Sequence, residues 1–148
     1  MSTKYKLYQT AILQTISHRL MRDFVNNYLS KFEISLAAWS ILDMLSDKKS
    51  MTFNEIATNL FVDAPFITEL AIELKAKHLI DISKSEDDKR IKVASLTIDG
   101  LRLAKKLNTG LTRNLTKFME GCTGEDVDTY FKVIETIINN SKKFKPTE

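Results

Sequence analysis

One change of period constrains this chain more than any other feature. Apolar residues recur at helical spacing over most of its length, and the pattern breaks between residues 80 and 97. There Ile80 and Ile82 alternate with Asp81 and Ser83, the spacing of a strand with one buried face. Val93 to Thr97 is a second short β-prone run. The segment between them, Lys84-Ser85-Glu86-Asp87-Asp88-Lys89-Arg90, is wholly polar. Two short strands around a charged loop predict a hairpin, although the loop lacks the Asn-Gly pair of a tight turn. Only 4 Gly and 2 Pro occur in 148 residues, which argues for long helices around the hairpin and against a loop-rich all-β fold.

The helices follow from their apolar spacing. Tyr8, Ile12, Ile16, Leu20, Phe24 and Tyr28 mark one face of a long helix from about Lys4 to Ser30. Leu36–Ser46 is a second helix, capped by Ser35, with Ala38, Ile41, Leu42 and Leu45 inward. Thr52-Phe53-Asn54-Glu55 has the pattern of a capping box and opens a short helix through Phe61. Asp63 caps a fourth, with Pro65 in its first turn and Ile67, Leu70, Ala71 and Leu74 on its apolar face, ending near Lys77. After the hairpin, Thr97 caps a fifth helix reaching Glu120, in which Gly110 marks a potential bend. Thr123 with Asp126 caps a sixth, running to about Lys142, and the tail Lys143–Glu148 is expected to fray. Helix, helix, helix, helix, strand, loop, strand, helix, helix is the order of a winged helix-turn-helix, residues 36–97, between flanking helices. Those flanking helices carry apolar stripes that so small a middle block cannot cover, which predicts a partner subunit.

Composition excludes several function classes. One Cys rules out an internal disulfide framework and a multi-thiolate zinc site. His18, His78 and Cys122 stand far apart without metal-ligand spacing, so no metal and no cofactor are expected. No Gly-rich phosphate loop, Gly-x-Ser-x-Gly or His-Glu-x-x-His occurs, so no enzyme is expected. No apolar run approaches a membrane span and the N-terminal residues lack the apolar core of a signal peptide, which predicts a cytoplasmic protein away from membranes. The net charge of +3 is too mild to identify nucleic acid as the partner by itself.

The segment Asp88-Lys89-Arg90-Ile91-Lys92-Val93-Ala94-Ser95-Leu96-Thr97-Ile98-Asp99-Gly100 carries a resemblance. It resembles the multiple-antibiotic-resistance regulator (MarR) family of bacterial transcription factors, whose wing has an Asp-basic-Arg tip, then Leu-Thr, then Gly three residues after the Thr. Trp39-Ser40-Ile41-Leu42, Phe53-Asn54-Glu55-Ile56-Ala57 and Leu79-Ile80 match in order as well. The resemblance implies a mainly α fold with a small β-hairpin wing, divided into an N-terminal dimerisation helix (1–34), a winged helix-turn-helix (35–97) and C-terminal dimerisation helices (98–148). It implies a homodimeric regulator of transcription, a repressor, that binds double-stranded DNA and responds to a small aromatic or phenolic effector. The fourth helix would enter the major groove and the wing the flanking minor groove.

On that reading Arg90 is the principal DNA contact, Asp88 holds the wing by pairing with basic side chains, and Lys84, Lys89 and Lys92 touch the backbone. Phe66 and Thr68 are placed to meet thymine methyls, with simple packing at the helix start as the other reading of Phe66. Thr52 and Asn54 open the third helix, either as phosphate contacts or as a structural cap; Lys48 and Lys49 just before them can reach the backbone. Two departures stand out. Glu69 occupies a place where the family usually has a basic residue, so it either accepts from cytosine N4 or weakens DNA binding. His78 and Ile82 replace the usual Gly and Arg around Leu79-Ile80. The net charge of −1 over Asp63–Lys77 leaves open a second class of function, a winged-helix dimer acting through protein contact. By position His18, Arg22, Trp39 and Met44 are the effector-pocket candidates, against core roles for Trp39 and Met44 and surface roles for His18 and Arg22.

Overall fold

The structure, a computed structural model, describes residues 6–143. The expected start of the first helix at Lys4 and the tail residues 144–148 lie outside the described residues. The elements in order are α1 (Gln9–Ser30), α2 (Leu36–Lys48), β1 (Ser50–Thr52), α3 (Phe53–Leu60), α4 (Ala64–Ala76), β2 (Ile80–Lys84), β3 (Lys92–Leu96), α5 (Ile98–Leu115) and α6 (Gly124–Ser141). A 3₁₀ turn, Thr116–Met119, stands between the last two helices. The fold divides into two compact units between Leu111 and Thr112.

Local chemistry places the helix starts. Ser35 accepts the Ala38 N–H at 3.1 Å and begins α2. Asp63 accepts the Phe66 N–H at 2.9 Å and begins α4, with Pro65 where its missing N–H costs nothing. Thr123 and Asp126 form the reciprocal capping box of α6. The apolar faces then meet. Ile41, Leu42 and Leu45 of α2, Ile56 of α3, Ile67 and Leu74 of α4, Ile80 of β2 and Leu107 and Leu111 of α5 are fully buried. In α1 only the C-terminal part joins them, through Val25 and Leu29.

The sheet has three antiparallel strands in the order β1-β3-β2. The hairpin is as the alternation predicts, with Ile80 opposite Leu96 and Ile82 opposite Ala94. The extra strand β1 was not legible. It is 3 residues long, too short for a period to show, and only Met51 is buried in it. Its register, Met51 against Ala94, gives β3 a neighbour on both edges.

Two glycines explain themselves by packing. A Cβ on Gly100 would run into the carbonyl oxygen of Leu79, and one on Gly110 into the Tyr28 hydroxyl. Gly110 is thus a point of close approach, and the helical hydrogen bonding of α5 continues through it to Leu115. The α-helix stops there, short of the Glu120 that the apolar stripe suggested, and tightens into the 3₁₀ turn.

At Gly100 the obstacle is backbone, which cannot swing aside. Gly100→Ala is expected to destabilise the protein by roughly 1–3 kcal/mol, as overpacking does. Gly124→Ala, with nothing within 4 Å of the new methyl, is the control expected to leave the urea midpoint in place or raise it slightly.

Candidate nucleic-acid interface

Three backbone devices bring α3, α4 and the wing together. At the start of α3 the Thr52 hydroxyl accepts the Glu55 N–H at 3.2 Å. Glu55 Oε2 in return accepts the Thr52 N–H at 2.7 Å and the Thr52 hydroxyl at 2.9 Å. These bonds, the backbone one foremost, hold the Glu55 carboxyl below its ordinary value. The Thr52 hydroxyl proton is therefore committed to the cap. Asn54, two residues on, is exposed.

The turn between α3 and α4 passes through Phe61 in the left-handed conformation, φ 56°. The Val62 N–H then returns to the Ala57 carbonyl at 3.1 Å. Helix α4 thereby presents Pro65, Glu69, Ile72 and Ala76 outward while Ile67, Leu70, Ala71 and Leu74 are buried. Phe66 is 39% exposed. Thr68 donates its hydroxyl to the Ala64 carbonyl at 3.1 Å. Near the helix end Lys77 donates to Glu73 at 2.8 Å and to the Glu33 carbonyl at 2.6 Å, tying α4 to the loop before α2.

The wing tip is built around Asp88. Its Oδ1 accepts the Arg90 N–H at 2.9 Å and Nε at 3.1 Å, and Oδ2 accepts Nη2 at 3.1 Å. The Ser85 N–H donates to the Ile91 carbonyl at 2.8 Å and the Ile91 N–H to that of Asp88 at 2.9 Å, closing the loop. Arg90, through its side chain first and its backbone second, holds the Asp88 carboxyl below the ordinary aspartate range. The Arg90 side chain remains 91% exposed, aimed but unburied. Lys84, Lys89 and Lys92 are exposed along the same hairpin. Lys92 Nζ lies 5.8 Å from the centroid of Phe53, a cation–π contact between wing and α3.

Asn54, Thr68, Arg90 and Lys92 line one hollow of about 200 Å³ between α3, α4 and the wing. Phe66 and Glu69 stand on the outer side of α4, while Lys84 and Lys89 lie along and at the tip of the hairpin. A concave site with two cations and a side-chain amide suits an anionic, hydrogen-bonding backbone.

The effector candidates are placed differently. His18 and Arg22 are exposed on α1, where Arg22 lies 3.7 Å from Asp23. Trp39 and Met44 are half-buried on α2. The Trp39 indole N–H donates to Asn108 Oδ1 at 2.8 Å, and Asn108 donates on to Asp43 Oδ1 at 2.7 Å. This polar chain from α2 to α5 has no local signal, since its members stand 65 and 69 residues apart. Cys122 is an exposed thiol. Among the described residues no cluster of His, Cys, Asp and Glu could hold a metal ion, and no helix is long and apolar enough to cross a membrane.

Comparison with known proteins bears on the fold. Residues 34–92 match the model of the MarR family. The HTH-type transcriptional repressor IacR of Pseudomonas putida is 21% identical over 112 residues, 76% of this chain and 67% of that protein. The MarR-family regulator AbsC of Streptomyces coelicolor superposes with a TM-score of 0.80 at 18% identity, covering 97% of this chain and 100% of the other. A mutant MarR from E. coli, complexed with operator DNA, superposes at 0.71 with 21% identity over 90% of this chain and 99% of its own. At these identities the superpositions establish a shared fold.

The tip geometry has a pH signature. The Asp88 pKa is lower folded than unfolded, so its contribution to wing order is complete above the ordinary aspartate range. It is lost as acid takes the pH down through the depressed value. Hydrogen exchange at the Arg90 amide is expected to speed up over that acid range relative to neighbouring amides. In Asp88→Ala, which has no side-chain acceptor, the Arg90 amide is expected to be poorly protected throughout, with no acid step.

Proposed function

We propose, on the premise that residues 34–92 are a MarR-family winged-helix domain, that this chain is a homodimeric DNA-binding regulator of transcription that acts as a repressor. The observation that carries the reading is the Asp88-held, exposed Arg90 beside a hollow shared with Asn54, Thr68 and Lys92. A guanidinium presented on a hairpin tip is attracted to the enhanced negative potential of a narrow minor groove. Lys84, Lys89 and Lys92 neutralise phosphates on either side, and α4 lies in the adjacent major groove. Asn54 donates its amide to a phosphate near the start of α3, while Thr52 keeps the helix end in shape. Asp88 does not cancel Arg90 in this role. It fixes the angle at which the guanidinium leaves the hairpin.

A second copy follows from the apolar surface. On α1, Ile12 is 56% and Ile16 44% exposed, with Leu13 and Leu20 beside them, and on α6 Tyr130, Phe131, Val133, Ile137 and Ile138 are exposed. Burying both stripes against another subunit returns them to an apolar environment. Two winged helices then meet two half-sites about 34–36 Å apart, one turn of the duplex. A small aromatic or phenolic effector, held near His18, Arg22, Trp39 and Met44, would act by population shift: binding better to the dimer whose α4 pair is wrongly spaced, it lowers operator affinity by that difference. That IacR is named a repressor and that the E. coli MarR mutant was solved with operator DNA support this reading.

Binding to duplex DNA flanking its own gene, at low salt, tests the proposal. Specific retention over random duplex is expected, and its absence sinks the reading. Arg90→Ala should weaken binding about tenfold or more, flatten the slope of log affinity against log salt by about 1, and leave the thermal midpoint unchanged. A double substitution, Ile12→Glu with Ile16→Glu, should convert a dimer to a monomer by light scattering and abolish specific binding, with helical content retained.

A further inference from the structure

We infer that the outer face of α4 reads pyrimidines: Glu69 accepts a hydrogen bond from a cytosine amino group, and Phe66 and Ile72 lie against thymine methyls. This deepens the proposed function and rests on it.

The first observation is where Glu69 stands. Ile67 and Ala71 are buried on either side of it in sequence. At 3.6 residues per turn, a residue midway between them lies on the opposite side of the helix. Glu69 therefore occupies the outermost line of α4. When such a helix lies in the major groove, that line meets the base edges, and the flanks meet the phosphates at the groove walls. A carboxylate on a flank would be repelled, while one on the central line is as far from both walls as the helix allows.

The second observation is which groups α4 leaves free. Asp63 is engaged at the cap, and Glu73 is neutralised by Lys77 at 2.8 Å. Thr68 has given its hydroxyl proton to Ala64. Lys75, six residues past Glu69, lies in the last turn, whereas base contacts come from the N-terminal residues of a recognition helix. Glu69 has no cation at helical spacing, since Pro65 precedes it by four residues and Glu73 follows by four. The outer face of α4 thus offers one carboxylate with no cation at helical spacing, flanked at i−3 and i+3 by the exposed Phe66 and Ile72.

That set selects among bases. Guanine presents two acceptors in the major groove and needs donors, and adenine needs a donor and an acceptor together. Cytosine N4 needs only an acceptor, and the thymine methyl only apolar surface. An acceptor between two apolar side chains is complementary to cytosine with thymine neighbours. It is unfavourable against guanine, whose O6 and N7 would face the carboxylate.

Selection of bound sequences from random duplexes, using the full chain at low salt, tests this beside the Glu69→Gln variant. Glu69 is exposed, so the variant is expected to fold as the parent does. The parent should enrich half-sites with a fixed cytosine beside thymine, preferred about tenfold or more over other bases at that position. Glu69→Gln should move that preference to adenine, which glutamine reads through N6 and N7, and keep the rest of the motif. A guanine at that position, or no preference there, overturns the inference while leaving DNA binding standing. So does a variant that binds every sequence more tightly with an unchanged motif, since Glu69 would then be a repulsive group and the α4 face a protein contact. If neither protein enriches any sequence, the regulator reading falls together with this one.

Discussion

Thr97 holds together two chain reversals on which the winged helix depends. Its hydroxyl donates to the His78 carbonyl at 2.7 Å and accepts the Gly100 N–H at 2.9 Å, while its own N–H donates to the Leu79 carbonyl at 3.1 Å. One side chain thus caps α5 and clasps the turn that leaves α4. The turn requires His78 in the left-handed region, φ 58°, and Gly100 with no side chain against Leu79. Each such bond contributes only about 1 kcal/mol net. Their importance is positional, because they fix where β2 departs and hence where the wing stands relative to α4.

From that base the wing projects as an ordered finger. Pairing of β3 on both edges stiffens its root, and the Asp88–Arg90 fork shapes its tip. An ion pair this exposed adds little to global stability. Its effect is on conformation, narrowing the directions in which a long cation points. The same clasp brings a cationic hairpin close to an α4 whose outer face is apolar and acidic. Cations stand at its edges, and a carboxylate with no cation at helical spacing stands at the centre.

Much of the frame was legible because its signals are local. Ser35, Thr52, Asp63, Thr97 and Thr123 each cap the helix they precede, a property of three or four consecutive residues. The hairpin alternation was visible for the same reason, and the Asp88–Arg90 pair spans only two positions. The strand β1 escaped because 3 residues carry no period. The 3₁₀ tightening after Leu115 escaped because the apolar spacing continues through Phe118 while the hydrogen bonding changes. Of the two open readings of Thr52, the described contacts fit the cap, since its only hydroxyl proton goes to Glu55.

The amino-acid order alone determined the helix starts, the strand alternation, the polar wing and the acidic balance of α4, because each follows from side chains within one or two turns of each other. The folded chain alone decided which distant groups meet: Thr97 with His78, Lys77 with the Glu33 carbonyl, Trp39 with Asn108, and Asn54 and Thr68 with Arg90 and Lys92 around one hollow. Burial of the shared apolar core sets those meetings. It is non-directional and leaves no spacing rule in the chain for the polar partners it brings into register.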